Sequence, residues 1–498
     1  MPTTLTPHTD IAGMYRPAGQ LDIATALAPY KGPWNAKLAA HLLRRAGFGA
    51  STDDARRLSE MGLHDAVSSL VDFPSTSNLP APGDLYDPRS TLMQYLPGAI
   101  GGRAAADDMQ RRQIQQQVRR GEVQSVVALQ RWWLNRMLGT PAPLQEKMAL
   151  YFHGHFTSAA IQKGVSPQMV YDQNQLFRDN ALGNLRELTW QVSIDPAMMI
   201  YLDNARSDPK HPNENYAREL MELFTLGVDH YTENDVRESA RAWTGWIYRP
   251  LLGQLQFIPA RHDNGSKMFL GRTGNWGGRD IVDIIFEQPA CASFFANSLL
   301  NFFVYNSPEP QLVQAVAKMI SKYDYDLKPV MSTLLRSNVF YSDRAYRALV
   351  KSPVEFVIGT YKAFGLTQVD ERAQNALRQM GQVLFYPPNV AGWPGGANWL
   401  TSQTVIAREN FLASMVNSPM MTQVGWMSDV PTQATQAAKS LVNTILFGDA
   451  SPQATAQLAE YLNGANTSAL GMLSAENYPE RIRGAAYLTM AMPAYQLN

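Results

Sequence analysis

Two short segments carry side chains that could bind a metal ion. HGHF supplies His153 and His155, and a helix-like segment further on supplies Glu222. Imidazole and carboxylate groups suit Zn²⁺, Mn²⁺ or Fe²⁺. The spacing matches no standard ligand signature, and the two histidines would converge only if Gly154 ended the helix, because positions i and i+2 of a helix face different sides. The pattern predicts either a divalent transition metal at these three residues or buried, hydrogen-bonded histidines.

A second set of polar residues could do acid/base chemistry without a metal. Glu219 lies at the apolar edge of its helix, where burial raises the pKa of a carboxyl group. The segment RHDNGSK adds His262 and Asp263. We predict these three as catalytic residues, because a general acid or base must titrate near the working pH. The cations expected to contact the substrate are Arg218, Arg241 and Lys267.

The loop FYPPNVAGWPGGANW could bind a substrate through its tryptophans. Two prolines and three glycines fix an irregular backbone that presents Trp393 and Trp399. Flat aromatic faces suit sugar rings or another apolar partner. The loop is predicted either as a substrate-binding rim or as a rigid plug of core tryptophans.

The same charges also have a purely structural explanation. Glu214, Arg218 and Glu222 are four residues apart, which predicts a ladder of ion pairs along one helix face. Lys351 and Glu355 have the same spacing and could form either a further acid/base pair or an intrahelical ion pair. Charged ladders of this kind are usually solvated faces or helix-locking networks, so a structural role remains the alternative for these residues.

Two predicted helices position the polar residues of the central segment, Asn213 to Trp246. Asn213 can cap the first helix, and Gly227 follows its end. Thr232 and Asp235 form a capping-box pair that opens the second. The section from Trp246 to Arg279 then loses helical periodicity and is rich in glycine, which predicts a β-hairpin or loop insertion.

Composition narrows the functional classes. The 498 residues include 43 Lys and Arg and 43 Asp and Glu, so the net charge of zero gives no general argument for a nucleic-acid partner. The single cysteine, Cys291, excludes an intramolecular disulfide and lies in an apolar run that predicts a buried thiol. Neither a transmembrane segment nor a secretory signal is evident, so we expect a soluble, cytoplasmic protein.

The pattern of elements predicts a mainly α fold. Helical periodicity recurs along most of the chain, with no internal repeat and no βαβ alternation, which favours a multi-helix single body with a small β or loop insertion near residues 246–279. We expect an N-terminal arm at residues 1–33, a helical domain at 34–412 and a helical extension at 413–498 packed on the main body. Prolines between residues 74 and 97 predict a long loop.

Six ordered motifs resemble a known family. AAHLLRRAGFG, EKMALYFHGHF, the core motif NENYARELMELFTLGVDHYTENDVRESARAWTGW, RHDNGSKMFLG, KSPVEF and QVLFYPPNVAGWPGGANWL are similar to the bacterial family named domain of unknown function 1800. The resemblance implies no established reaction. It does imply a sulfatase-like partner protein and export, since relatives are often found beside such proteins and many appear exported. Many relatives have His where this chain has Phe224, so residue 224 cannot serve as a metal ligand in this chain.

Two functional hypotheses follow. In the first, the protein is an enzyme, for instance a hydrolase, that acts on a hydroxyl-rich or glycan-like substrate. The core motif and RHDNGSK would form a polar cleft, and the tryptophan loop would lie at its rim. In the second, it is a non-catalytic helical scaffold or partner-binding protein in which the same charges lock helices together.

Overall fold

The computed structural model describes residues 22–73, 82–83, 85–86, 108–249, 252–423, 429–464, 473 and 478–498. Most of the predicted loop between residues 74 and 97, and the first 21 residues of the predicted N-terminal arm, lie outside this range. The rest of the arm, residues 22–33, lies against the segment that follows residue 335, where the Tyr30 amide donates to the Arg336 carbonyl at 2.8 Å.

Within the described residues, the first part of the chain forms ten helices, and proline or a polar cap opens most of them. Their bounds are α1 (Ala36–Arg45), α2 (Thr52–Met61), α3 (Leu63–Val71), α4 (Asp108–Gly139), α5 (Pro143–His155), α6 (Pro167–Asp179), α7 (Leu185–Ser193), α8 (Pro196–Tyr201), α9 (Glu214–Glu219) and α10 (Glu233–Ala242).

Twelve further helices of the described ranges follow a short β section. They are α11 (Gly278–Phe286), α12 (Pro289–Phe303), α13 (Pro310–Lys322), α14 (Leu327–Leu334), α15 (Pro353–Ala363), α16 (Glu371–Gln379), α17 (Ser402–Val416), α18 (Pro419–Gln423), α19 (Ala434–Leu446), α20 (Pro452–Asn463), α21 (Tyr478–Ala491) and α22 (Pro493–Gln496). Helix α21 packs against α17, α19 and α20. The predicted division at residue 412 falls inside α17, and the three-part organisation stays a prediction.

The insertion near residues 246–279 consists of two antiparallel hairpins. Strand β1 (Trp246–Arg249) pairs with β2 (Gln254–Phe257), and β3 (Lys267–Phe269) pairs with β4 (Arg272–Gly274). Leu270 and Gly271 join β3 to β4 with positive φ angles of 45° and 78°, as a tight two-residue hairpin requires. The predicted fold, mainly α with a small β insertion, is confirmed.

One hydrophobic core joins these elements. Its buried apolar side chains form a continuous cluster that extends from Ala26 to Tyr495 and includes the buried thiol of Cys291, as predicted. No helix in the described ranges is both long enough and apolar enough to cross a membrane.

The central helices have the predicted caps. The Asn213 side chain accepts from the Asn215 amide at 2.8 Å, and Thr232 forms a capping box with Asp235. Between them, residues Leu220–Thr225 form a π-helix, in which the Leu226 amide donates to the Met221 carbonyl five residues earlier at 2.8 Å. Sequence periodicity gave no sign of this wider turn.

The predicted ladder of Glu214, Arg218 and Glu222 forms only in part. Arg218 approaches Glu214 to 4.0 Å, which is the outer limit of an ion pair, and makes two hydrogen bonds of 2.7 and 2.8 Å to Glu233 on α10. Glu222 instead accepts from the Tyr231 hydroxyl at 2.7 Å. The second ion pair is missing because the π-helix rotates Glu222 out of α-helical register and because α10 offers Arg218 a bidentate partner.

Candidate functional site

A cavity of about 510 Å³ lies where the end of α5 meets α12, and we call it the pocket. The segment before α15 and the loop of residues 391–399 complete its walls. Its size falls in the range of about 300–1,000 Å³ that is usual for small-molecule sites.

Aromatic side chains form much of the pocket wall. Trp393 and Trp399 come from the loop, while Tyr151 and Phe302 come from α5 and α12. The Tyr151 and Phe302 rings meet edge to face at 5.2 Å between centroids. Both tryptophans of the loop thus lie in one wall, and their role in binding a substrate stays a prediction.

A close approach between two glycines places the loop on α5. At Gly392, φ is +77°, and a Cβ atom there would lie 2.3 Å from the carbonyl oxygen of Gly154. Any side chain at residue 392 would therefore push the loop away from the helix. The Thr157 hydroxyl strengthens the contact by donating to the Val390 carbonyl.

Neutral polar groups occupy other parts of the wall. Gln382 is 4% exposed and lines the pocket, and its Oε1 accepts from the Val354 amide at 2.9 Å. Its Nε2 has no hydrogen-bond partner within the described ranges, so it can donate to a ligand. The amides of Asn297 and Asn306 line the same cavity and are exposed.

One ion pair lies at the base of the pocket. Glu355 lines the cavity, and its Oε1 accepts from Lys147, whose side chain is 1% exposed. Its Oε2 accepts from the Ser352 amide at 2.7 Å. Burial alone would raise the pKa of Glu355, but Lys147 and the Ser352 bonds outweigh burial and hold that pKa below its usual value. Glu355 is therefore ionised at neutral pH.

His155 contributes a neutral imidazole. Its Nε2 lies 2.8 Å from the Phe224 carbonyl oxygen, and because a carbonyl can only accept, Nε2 carries the proton. Burial lowers the pKa of His155 to about 4, although the bond to Phe224 opposes the shift. At neutral pH the Nδ1 lone pair is therefore available as an acceptor in the pocket wall.

His153 has a different role, because α5 continues through Gly154 to His155 and the two imidazoles face different sides. Its Nε2 accepts from the Phe385 amide at 3.0 Å, and its ring lies 5.4 Å from that of Trp393. Phe385 has φ +63°, which is costly for a bulky residue. His153 thus stabilises a strained turn three residues beyond Gln382.

The predicted metal ligands do not come together. His153 bonds Phe385, His155 bonds Phe224 and Glu222 bonds Tyr231. In the part of the chain that the structure describes, no group of three or more His, Cys, Asp or Glu side chains could hold a metal ion. The condition for convergence, a helix that ends at Gly154, is not met.

Three of the predicted site residues form a separate network at the hairpins. Arg241 makes two hydrogen bonds to Asp263, of 2.8 and 3.1 Å, and a third of 2.8 Å to Glu238. Lys267 is buried, and its Nζ donates to the Asp263 carbonyl at 2.6 Å. Arg241 holds the pKa of Asp263 below its usual value, which makes this carboxylate a poor proton carrier. We call these four residues the hairpin network.

The other two predicted catalytic residues lie outside the hairpin network. The Nδ1 of His262 lies 2.9 Å from the Thr244 carbonyl oxygen. Burial and the neighbouring Glu222 raise the pKa of Glu219, in the direction expected from the sequence. Glu219 shares no hydrogen bond or ion pair with His262 or Asp263 in the described structure. The assignment of these three as catalytic stays a prediction.

The sequence did not point to several pocket residues. Glu355 pairs with Lys147, 208 residues away, and not with Lys351, which precedes the start of α15 and so cannot form an intrahelical pair. Lys147 belongs to the EKMALYFHGHF motif and Glu355 to KSPVEF. The sequence therefore indicated that both motifs matter, because both belong to the family resemblance. Their spacing gave no indication that Lys147 and Glu355 are in contact.

Comparison with known proteins identifies the family. A model described as "Protein of unknown function (DUF1800)" matches residues 41–497, which is nearly the whole chain. The chain belongs to this family, as the six motifs predicted. Neither a curated protein nor a solved structure matches it.

Proposed function

We propose that this member of the DUF1800 family binds a neutral, hydroxyl-rich ligand of sugar size in the pocket. The observation that carries the proposal is the combination of flat aromatic faces with unpaired neutral polar groups around one cavity. Sugars present both an apolar C–H face and a rim of hydroxyl groups, so a site needs both kinds of surface to bind them.

The aromatic wall suits the apolar face of a ring. Trp393 and Tyr151 offer planar surfaces of large area, and such surfaces bind apolar faces with little loss of side-chain entropy. Trp399 is 7% exposed and is fixed by its packing.

The polar groups suit hydroxyls. The Gln382 Nε2 is a donor that no described residue accepts from, and the His155 Nδ1 is an acceptor on a ring oriented by Phe224. A hydroxyl can satisfy both kinds of atom because it donates one hydrogen bond and accepts two. Leaving either atom unpaired beside an apolar ligand would cost about 1–3 kcal/mol, so the pocket discriminates in favour of hydroxyl-rich ligands.

The charges support binding more strongly than hydrolysis. Glu355 is the one carboxylate among the pocket residues that the structure describes, and Lys147 neutralises it. Glycoside hydrolysis usually uses two carboxyl groups, one of them protonated. We therefore place binding first, and retain hydrolysis only through the acid/base residues predicted from sequence, Glu219, His262 and Asp263.

A scaffold role is the second candidate, and the hairpin network favours it. Arg241, Asp263 and Lys267 satisfy one another, as a network that locks α10 to the hairpins would require. This role is compatible with a ligand in the pocket, since the network uses none of the residues that line the cavity.

Calorimetric titration with neutral mono- and disaccharides tests the proposal. We expect at least one sugar to bind, and Trp393→Ala to weaken its affinity about tenfold or more through loss of the stacking surface. Trp276→Ala is the matched control, because Trp276 is also partly buried but does not line the pocket. Equal losses in both variants, or no binding by any sugar, would contradict the proposal.

A further inference from the structure

Four buried cations lie near the pocket without an ion-pair partner. Arg44 and Arg45 end α1, Lys351 precedes α15 and Arg408 lies on α17; their exposed fractions are 3%, 1%, 5% and 0%. No carboxylate in the described ranges lies within 4.0 Å of their charged nitrogens, in contrast to the neighbouring pairs of Lys147 and Arg347. We call these four residues the buried cation cluster.

Several nitrogens of the three guanidinium groups also lack a hydrogen-bond acceptor among the described residues. Arg45 donates one bond to the Ala345 carbonyl at 2.5 Å, and Arg408 donates to the Lys351 carbonyl at 2.7 Å and to Gln496 at 3.0 Å. Six nitrogens remain buried without a partner among the described residues: Nε, Nη1 and Nη2 of Arg44, Nε and Nη1 of Arg45, and Nε of Arg408. Buried donors are rarely left unpaired, because each costs about 1–3 kcal/mol and more when charged.

Three carboxylates face the cluster, but two of them are already engaged. Glu355 binds Lys147, and Asp449 binds both Arg347 and Lys37. Glu409, the next residue after Arg408 in α17, attracts Arg408 but forms no ion pair with it in the described structure, and its buried Oε2 has no hydrogen-bond partner there. Together with Lys147 and Arg347 the cluster makes six cations against these three carboxylates, and Asp449 is shared with a seventh cation, Lys37.

Aromatic rings compensate only part of this charge. The Lys351 Nζ lies 3.8 Å from the centre of the Tyr495 ring, and the Arg408 Cζ lies 4.6 Å from that of Phe356. The Tyr346 ring is 5.7 Å from the Arg44 Cζ. Ring faces attract cations but offer no lone pairs to the free N–H groups. Burial and the neighbouring cations lower the pKa of Arg44 to about 10 and that of Lys351 well below its usual value.

We propose that the buried cation cluster binds a small inorganic oxyanion, such as phosphate or sulfate, through the Arg44 guanidinium, with Lys351 beside it. Guanidinium groups match oxyanions because their planar N–H groups donate in pairs to two oxygens. The anion would neutralise the excess positive charge and accept hydrogen bonds from the unpaired N–H groups.

This site is distinct from the sugar pocket. Leu349, Val350 and Ser352 line the pocket, whereas Lys351 does not and instead contacts Tyr495. The backbone of residues 349–352 therefore lies between the pocket and Lys351. The burial of the cluster favours a free ion over a phosphate carried on a larger molecule.

Thermal unfolding of the full chain in millimolar phosphate, sulfate or chloride, at matched ionic strength, tests the assignment. Binding to the folded state should raise the melting temperature with the logarithm of oxyanion concentration. Arg44→Met keeps most of the aliphatic length but removes the donors, so it should abolish this dependence and melt at a lower temperature in phosphate. The control is Arg56→Met, since the Arg56 side chain is 66% exposed.

The signs of the effects separate an occupied site from an empty one. If no anion binds, Arg44→Met removes an uncompensated buried charge and should raise the melting temperature in every salt. That result, or an equal oxyanion dependence in Arg44→Met and the wild type, would overturn the proposal. General salting-out by sulfate would affect all three proteins alike.

Equilibrium dialysis of the wild type gives a second test that needs no folded variant. Radiolabelled phosphate, and separately radiolabelled sulfate, should each show whether one saturable site exists per chain. One site for either ion supports the assignment, and no saturable binding of either ion overturns it. A disaccharide that fills the pocket should not displace the ion.

Discussion

The hairpin network around Arg241 and the pocket beneath Trp393 both gather polar side chains, but they use them differently. In the network, Arg241, Asp263 and Lys267 bind one another. In the pocket, Gln382 and His155 each have one polar atom that forms no hydrogen bond with a described residue. Arg241, Asp263 and Lys267, which suggested chemistry in the sequence, are therefore paired within the fold, while neutral polar residues of the pocket stay available to a ligand.

The difference has a physical origin. A partly buried charge must be paired, because desolvation without a partner costs several kcal/mol. A neutral amide or imidazole costs less, so a protein can leave it facing a cavity until a ligand arrives. Glu355 shows the boundary between these cases, since it lines the pocket and is still fully engaged by Lys147 and Ser352.

Breaking the ion pair at the pocket base should have the largest effect. Glu355→Gln leaves Lys147 charged in a site where its side chain is 1% exposed, so we expect a loss of about 3–5 kcal/mol in the free energy of unfolding. Urea denaturation followed by tryptophan fluorescence measures it. Asp203→Asn is the matched control, because the Lys163–Asp203 pair is 47% exposed on both sides and should cost less than about 1 kcal/mol. Similar losses in both variants would mean that the buried pair is solvated.

The hairpin network should have a smaller effect that depends on pH. The pKa of Asp263 is lowered in the folded protein, so its contribution is present above the unfolded pKa of about 3.9 and is lost as the pH falls through the folded value. We expect Asp263→Asn to cost about 2 kcal/mol at neutral pH, and the difference from the wild type to vanish in acid.

Melting temperatures of the wild type and Asp263→Asn across the acid range check this expectation, and sugar affinity provides the contrast. The variant should bind any pocket ligand as the wild type does, since Asp263 does not line the cavity. A large loss of affinity would instead restore Asp263 to a functional role.

The smallest effect is expected from pH on the pocket itself. The pKa of His155 is lowered to about 4 and that of Glu355 also lies below its usual value, so neither group titrates near neutrality. Ligand affinity should change less than about twofold between mildly acidic and mildly basic pH, and the imidazole resonances of His155 in NMR spectra should not shift there. A titration near pH 6.5 would show that His155 is accessible to water and is not buried as described.

Local signals predicted much of the fold. The caps at Asn213 and Thr232, the hairpins near residues 246–279 and the buried thiol of Cys291 depend on neighbouring residues, so they can be read from short segments. The tryptophan loop was also predictable, because its glycines and prolines exclude regular structure.

Long-range pairing was not predictable. The contact of Lys147 with Glu355 joins residues 208 positions apart, and sequence spacing gives no measure of such a distance. Arg44 and Arg45 looked like ordinary charged residues at the end of an amphipathic helix, yet both are buried. The π-helix at Leu220–Thr225 was not predicted for a third reason. Its wider turn uses the same residue types as an α-helix, so the sequence does not distinguish the two.

That π-helix also determines how the motif meets the pocket. A turn closed by a bond to the fifth preceding residue holds one residue more than an α-helical turn. The Thr225 hydroxyl closes this turn by donating to the Leu220 carbonyl at 2.5 Å. Deletion of one residue here would rotate Leu223 relative to the rest of the helix. It would also rotate the Phe224 carbonyl, which orients His155. The helical register of the six residues Leu220–Thr225 thus determines which face of the motif reaches the pocket.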